Sequence, residues 1–125
     1  FRMQDNSLAA ALVGHLVGDF LLQNDWMATN KKRSDFACAI HVLIYTVMVM
    51  LFSGWYRQPP NIAAAAAVLI ALPHFAIDRT ALVQHYMDSI GQRSFRENLA
   101  PWSSISVDQA MHALCLFWLW KLLIA

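Results

Sequence analysis

Four groups of residues in this chain could do chemistry: His15-Leu-Val-Gly-Asp19, His41, His74-Phe-Ala-Ile-Asp78 and Asp108-Gln-Ala-Met-His112. Three of the groups are His/Asp pairs at spacing i, i+4. On a helix that spacing puts both side chains on one face, about 5–6 Å apart at Cβ. Two donors held this way can grip a metal ion, as two histidines at the same spacing do in helical zinc sites. The chemistry indicated is metal binding by nitrogen and oxygen donors, with carboxylates also able to move protons.

The elements that must position these residues are apolar. The 125 residues are 58% hydrophobic and only 14% charged. A soluble domain is about half apolar and about a quarter charged, and one this small has too little interior to hide the excess. Lipid is the simpler solvent. Four apolar stretches read as membrane-crossing helices, over about 7–23, 36–52, 61–80 and 106–125. Each would be roughly 26–30 Å long, matching the hydrocarbon thickness of a bilayer. Ser7 is the expected N-cap of the first, Pro59-Pro60 precedes the third, and Ser106 with Gln109 fits a capping box for the fourth. The expected fold is all-α: a single transmembrane domain over residues 1–125, built as a four-helix bundle. Between the third and fourth helices, Leu82, Val83, Tyr86, Met87 and Ile90 fall at helical spacing. That segment either extends the third helix or forms an interfacial one.

Short connections make the four helices alternate in direction. His15 and Asp19 then lie late in the first helix, His41 early in the second, His74 and Asp78 at the end of the third, and Asp108 and His112 at the start of the fourth. All seven fall toward the same membrane face. Ionisable groups inside lipid cost several kcal/mol unless paired, metal-bound or hydrated, at about 2.5–3.5 kcal/mol for a central aspartate. The expected metal ligands are therefore His15, Asp19, His41, His74, Asp78, Asp108 and His112. The expected cofactor is a divalent transition metal, zinc or manganese first, as one or two ions. Asp19, Asp78 and Asp108 are the candidate catalytic carboxylates. Gln23 and Gln109 are placed to orient ligands by hydrogen bonds. Taken alone, His41 is most simply a hydrogen-bonded packing residue, and the pairs could be interhelical glue that only locks the bundle.

The remaining signals set the surroundings. Lys31-Lys32-Arg33 is a topological signal and a headgroup contact on the site's own side, where it could also guide an anionic substrate. Arg79, Arg93 and Arg96 share that side, against Arg2, Arg57 and Lys121 on the other. The positive-inside rule puts the first group, and the site, in the cytoplasm. The inner membrane of a bacterium is the expected location. Trp26, Trp55 and Trp102 read as interfacial anchors, His85 as a surface residue, and Pro73 as a kink beside His74. Asp25 reads as a solvated loop charge. Cys38 and Cys115 are too few for a disulfide scaffold and read as small packing residues. The net charge of +1 excludes a nucleic-acid partner of the usual basic kind. Membrane lipid is the expected partner. The opening Phe1-Arg2-Met3 suggests Met3 as the natural start, and nothing in it resembles a cleavable signal peptide.

These motifs, from His15-Leu-Val-Gly-Asp-Phe-Leu-Leu-Gln23 with Asp25-Trp-Met-Ala28 to Asp108-Gln-Ala-Met-His112, resemble a family of small bacterial and phage membrane proteins known only as a domain of unknown function. The pattern is also loosely similar to membrane-bound metal-dependent hydrolases. Three functions follow as expectations. The first is a hydrolase acting on a lipid or lipid-linked phosphoester near the cytoplasmic face. The second is a metal-ion or proton transporter, which four short helices could form only as a homo-oligomer. The third is a structural or partner-binding membrane protein with a polar His/Asp core.

Overall fold

The computed structural model describes residues 6–124, so the expectation about Met3 lies outside the described residues. Everything regular among them is helical. Helix α1 covers Ser7–Leu16 and continues as a π turn over Val17–Leu21. Short α2 covers Asp25–Asn30, α3 Asp35–Ser53, α4 Pro60–Arg79, α5 Leu82–Ser89, α6 Arg93–Asn98 and α7 Trp102–Ile124. Helix α1 packs on α3, α3 on α4, α4 on α7, and α7 back on α1, closing a ring of four helices.

Local chemistry explains the boundaries. Asn24 caps α2 by accepting from the Met27 amide at 2.9 Å, which stops the first helix short of Gln23. Ser34 caps α3 through the Ala37 amide at 3.2 Å. Gly54 ends α3 in the left-handed conformation, with φ 78°, that a residue with a Cβ rarely adopts. Pro60 opens α4 at a position where its missing N–H costs nothing. Helix α7 starts at Trp102, four residues earlier than its sequence signals suggest. Ser106 is therefore no cap; it lies inside the helix, and its hydroxyl donates to the Trp102 carbonyl at 2.8 Å. Ser7 is likewise the first helical residue rather than the cap.

Helices α3, α4 and α7 are long and apolar enough to cross a membrane. Only 22% of the α4 span and 17% of the α7 span is buried inside the protein. Leucines such as Leu43, Leu72 and Leu122 point outward instead, where lipid rather than water suits them. The run Ser7–Leu21 is apolar but shorter. Helix α4 stops at Thr80, and the expected interfacial helix is two short ones, α5 and α6, with His85 on the exposed side of α5.

The bundle is apolar on one side of the site. Ala11, Tyr45, Val49, Trp55, Ala66, Ile70, Leu116 and Leu119 form one buried apolar cluster. Trp55 was expected as an interfacial anchor, yet it is fully buried. The turn after Gly54 folds it back beneath the helices. Trp26 and Trp102 are exposed. Cys38 is buried and Cys115 half-buried, both unbridged.

Candidate metal centre

His and Asp side chains from four helices meet in one cluster. His41 Nε2 of α3 lies 3.0 Å from Asp78 Oδ2, 3.1 Å from Asp19 Oδ1 and 3.1 Å from His74 Nε2. His74 Nε2 lies 2.9 Å from Asp78 Oδ2 and 3.4 Å from Asp19 Oδ1. All four residues are buried. On the other side of Asp78, its Oδ1 meets His112 Nε2 at 3.2 Å, and His112 reaches Asp108 Oδ1 at 3.4 Å. Two donor groups result: Asp19, His41, His74 and Asp78, and Asp19, Asp108 and His112, each with its atoms within 4.8 Å of one another.

Protons alone satisfy the first group poorly. If both Nε2 atoms carry hydrogen, two N–H groups face each other at 3.1 Å. If one is bare, its lone pair faces carboxylate oxygens at 2.9–3.4 Å. A cation at the centre suits all four donors. A tetrahedral ion with bonds of about 2.0–2.1 Å holds its donors about 3.3–3.4 Å apart, close to the 2.9–3.4 Å that separate the two imidazole nitrogens from each other and from the two carboxylates. The Nδ1 atoms of His41 and His74 are buried without a partner among the described residues, which departs from the usual arrangement in which a ligating histidine is held from behind.

His15 stands outside both donor groups, because its two nitrogens are already used. Nε2 lies 2.6 Å from Gln109 Oε1, and Nδ1 lies 2.7 Å from the Tyr45 hydroxyl. The amide oxygen can only accept, so Nε2 carries the hydrogen and Tyr45 donates to Nδ1. The Gln109 amide nitrogen then donates to Asp19 Oδ2 at 3.0 Å and Asp108 Oδ2 at 3.3 Å. One directed chain runs from Tyr45 through His15 and Gln109 to two carboxylates. Gln23 plays a smaller part, donating to the Asp19 carbonyl at 3.3 Å.

The π turn is what separates His15 from Asp19. An α-helix would aim both the same way; the wider turn over Val17–Leu21 re-aims Asp19 toward α3 and α4. Pro73, inside α4, removes the amide that would bond the Leu69 carbonyl, one residue before His74.

Tyr45 was not singled out by the sequence reading. Its ring stacks on His74 at 3.7 Å, and His74 stacks on His112 at 4.0 Å. The signal was available: Tyr45 follows His41 by four residues and so shares its helix face. Tyr45→Phe should keep the stack but leave His15 Nδ1 buried and unsatisfied. We expect a loss of about 1–3 kcal/mol in unfolding free energy, measured by chemical denaturation in detergent. An unchanged stability would mean that the hydroxyl does not hold His15.

The basic loop meets the site directly. Lys31 Nζ lies 3.3 Å from Asp78 Oδ2. Lys32 Nζ bonds the carbonyls of Ile77, Asp78 and Thr80 at 3.4, 3.0 and 2.9 Å, capping the negative end of α4. Arg79 ties the same loop down through Asp35 at 2.7 Å and the Lys32 carbonyl at 2.6 Å. Arg33 and Asp25 are exposed. A cavity of about 190 Å³ is lined by Lys31, Lys32, Asp78, Gln84, Asp108 and neighbouring residues, so it reaches both donor groups.

No curated protein and no solved structure matches the chain. The expected resemblance to a family of unknown function is met across nearly its whole length. Residues 7–125 match the family described as "Protein of unknown function (DUF3307)", and the chain belongs to it.

Proposed function

We propose that the chain is a four-span membrane protein of the bacterial inner membrane that holds a divalent transition metal, zinc or manganese, and hydrolyses a lipid or lipid-linked phosphoester at the cytoplasmic face. The observation that carries this reading is the convergence of His41, His74, Asp19 and Asp78 on one point beside a cavity lined by two lysines. The four-donor group is closed, as structural sites are. The group of Asp19, Asp108 and His112 has three donors and borders the cavity through Asp108, as an open site would. Asp19 belongs to both, which supports a pair of ions sharing that carboxylate. Such ions would polarise a phosphoryl oxygen.

The chain's own residues supply the rest. Asp108 is the most accessible of the three carboxylates, with 24% of its side chain exposed. Left off the ion, with Asp19 and His112 holding it, Asp108 is the group placed to take a proton from water in the cavity. Gln109 holds that carboxylate and Asp19 in a fixed relation. Lys31 and Lys32 bring positive charge to the wall where an anionic group would lie. The buried apolar cluster from Ala11 to Leu119 speaks against a transport path through a single bundle.

Element analysis of protein prepared without chelators should find about one or two transition-metal ions per chain. His74→Ala should lose most of that metal. Phosphate release from phosphatidic acid or a polyisoprenyl diphosphate, in nanodiscs, should require metal and fall in Asp108→Asn. A wild-type protein free of metal at micromolar zinc and manganese would end this reading.

A further inference from the structure

Lys31 occupies an unusual position for a residue of a basic loop. Its ammonium sits 3.3 Å from Asp78 Oδ2, the same oxygen that lies 2.9 and 3.0 Å from the two convergent histidines. Its side chain is 18% exposed and borders the cavity. Lys32, by contrast, is tied to three carbonyls at the end of α4. One lysine is therefore fixed by the backbone, and among the described residues the other's ammonium meets only a carboxylate that a metal would claim.

We propose that the cavity is a phosphate-type oxyanion subsite coupled to the metal centre through Lys31, a step that rests on the metal reading above. Without metal, Lys31 neutralises Asp78. A divalent ion on Asp78 takes over that carboxylate's charge and repels the ammonium beside it. Lys31 then turns into the cavity beside Lys32. Lys31 offers its N–H donors to an oxyanion there, and the fixed charge of Lys32 and the nearby ion add attraction without direct bonds. An oxyanion in turn holds Lys31 away from Asp78, so each ligand favours the other. The ligand class is a phosphate group, from a lipid headgroup or from a soluble compound.

The test uses the full chain in detergent or nanodiscs, with zinc affinity measured at buffered free zinc. Inorganic phosphate should tighten zinc binding of the wild type by about 10-fold, within the usual range for coupled sites. Lys31→Met should bind zinc more tightly than wild type when phosphate is absent, because a competing cation is gone, and phosphate should then have little effect. Lys31→Arg should restore the coupling. A lysine that merely stabilised the loop would give the opposite first result: its loss would loosen zinc. In nanodiscs, phosphatidic acid in place of inorganic phosphate identifies the lipid source if it alone gives the effect; inorganic phosphate alone identifies a soluble one. If the wild type binds zinc but neither probe changes its affinity, or if Lys31→Met matches wild type in both respects, this inference falls and the metal centre stands. If the wild type binds no metal, both fall.

Discussion

Asp78→Asn should fold and keep its bundle, yet bind zinc or manganese at least about 100-fold more weakly than wild type. Losing a residue that only supports a ligand typically costs about 10–100-fold in metal affinity, and Asp78 is more central than that. Its carboxylate touches His41 at 3.0 Å, His74 at 2.9 Å, His112 at 3.2 Å and Lys31 at 3.3 Å, with 2% of its side chain exposed. It links the two donor groups. Asparagine keeps the shape and one oxygen but brings an N–H toward imidazole nitrogens and removes the negative charge. In the metal-free protein the same change leaves Lys31 without its counter-charge at 3.3 Å, so thermal stability in detergent should fall while the protein still folds. Chelator competition and a thermal unfolding curve, made on one preparation, separate the two effects. Normal metal affinity in a folded Asp78→Asn protein would make the cluster interhelical packing and nothing more.

Gly14→Ala should destabilise the protein by about 1–3 kcal/mol, the usual cost of overpacking, and weaken metal binding with it. A Cβ at Gly14 would lie 2.7 Å from the Met48 carbonyl oxygen and 3.0 Å from Val49 Cα. At Gly18 it would lie 2.9 Å from Tyr45 Cα. These are backbone atoms, so no side chain can swing aside; α1 and α3 must separate. Gly14-His-Leu-Val-Gly18 is the small-xxx-small spacing that lets membrane helices approach closely. His15 and Asp19 ride on that contact, each one residue beyond a glycine. Leu16→Ala on the same helix is the control, because Leu16 is 51% exposed and faces outward. Equal unfolding midpoints for Gly14→Ala and Leu16→Ala would show that the close approach is dispensable.

The site was largely legible in the sequence, for a physical reason. Charged groups in lipid must find each other, so their depths along antiparallel helices had to agree. Asp19, His41, His74, Asp78, Asp108 and His112 meet at hydrogen-bond distance for that reason. The place of His15 was not legible. Spacing i, i+4 assumes an α-helix, and the π turn broke that assumption between His15 and Asp19. Gln109 was read as an orienting residue, but the capping box also claimed it as a helix-start residue. Only the earlier start at Trp102 frees its amide for the chain between His15 and the carboxylates. Trp55 was misplaced because depth in sequence does not reveal a chain that doubles back through Gly54. The glycine pair went unremarked because close approach depends on the partner helix, which a single segment does not display.

The π turn over Val17–Leu21 has a last consequence, for which changes in chain length the protein can tolerate. A π turn holds one residue more than the α turn it replaces. Deleting a single residue there would let α1 close into an unbroken α-helix, with every remaining backbone bond intact and hardly any change in apolar character. The helix beyond would face much as before, because the turn absorbs its extra residue locally, but Asp19, inside the turn, would return to the α spacing it shares with His15. Asp19 would then no longer be aimed toward α3 and α4. Along this helix the spacing of the chain is as much a determinant of the centre as the identity of its residues, and a missing codon would do what no single substitution of an outward-facing leucine could.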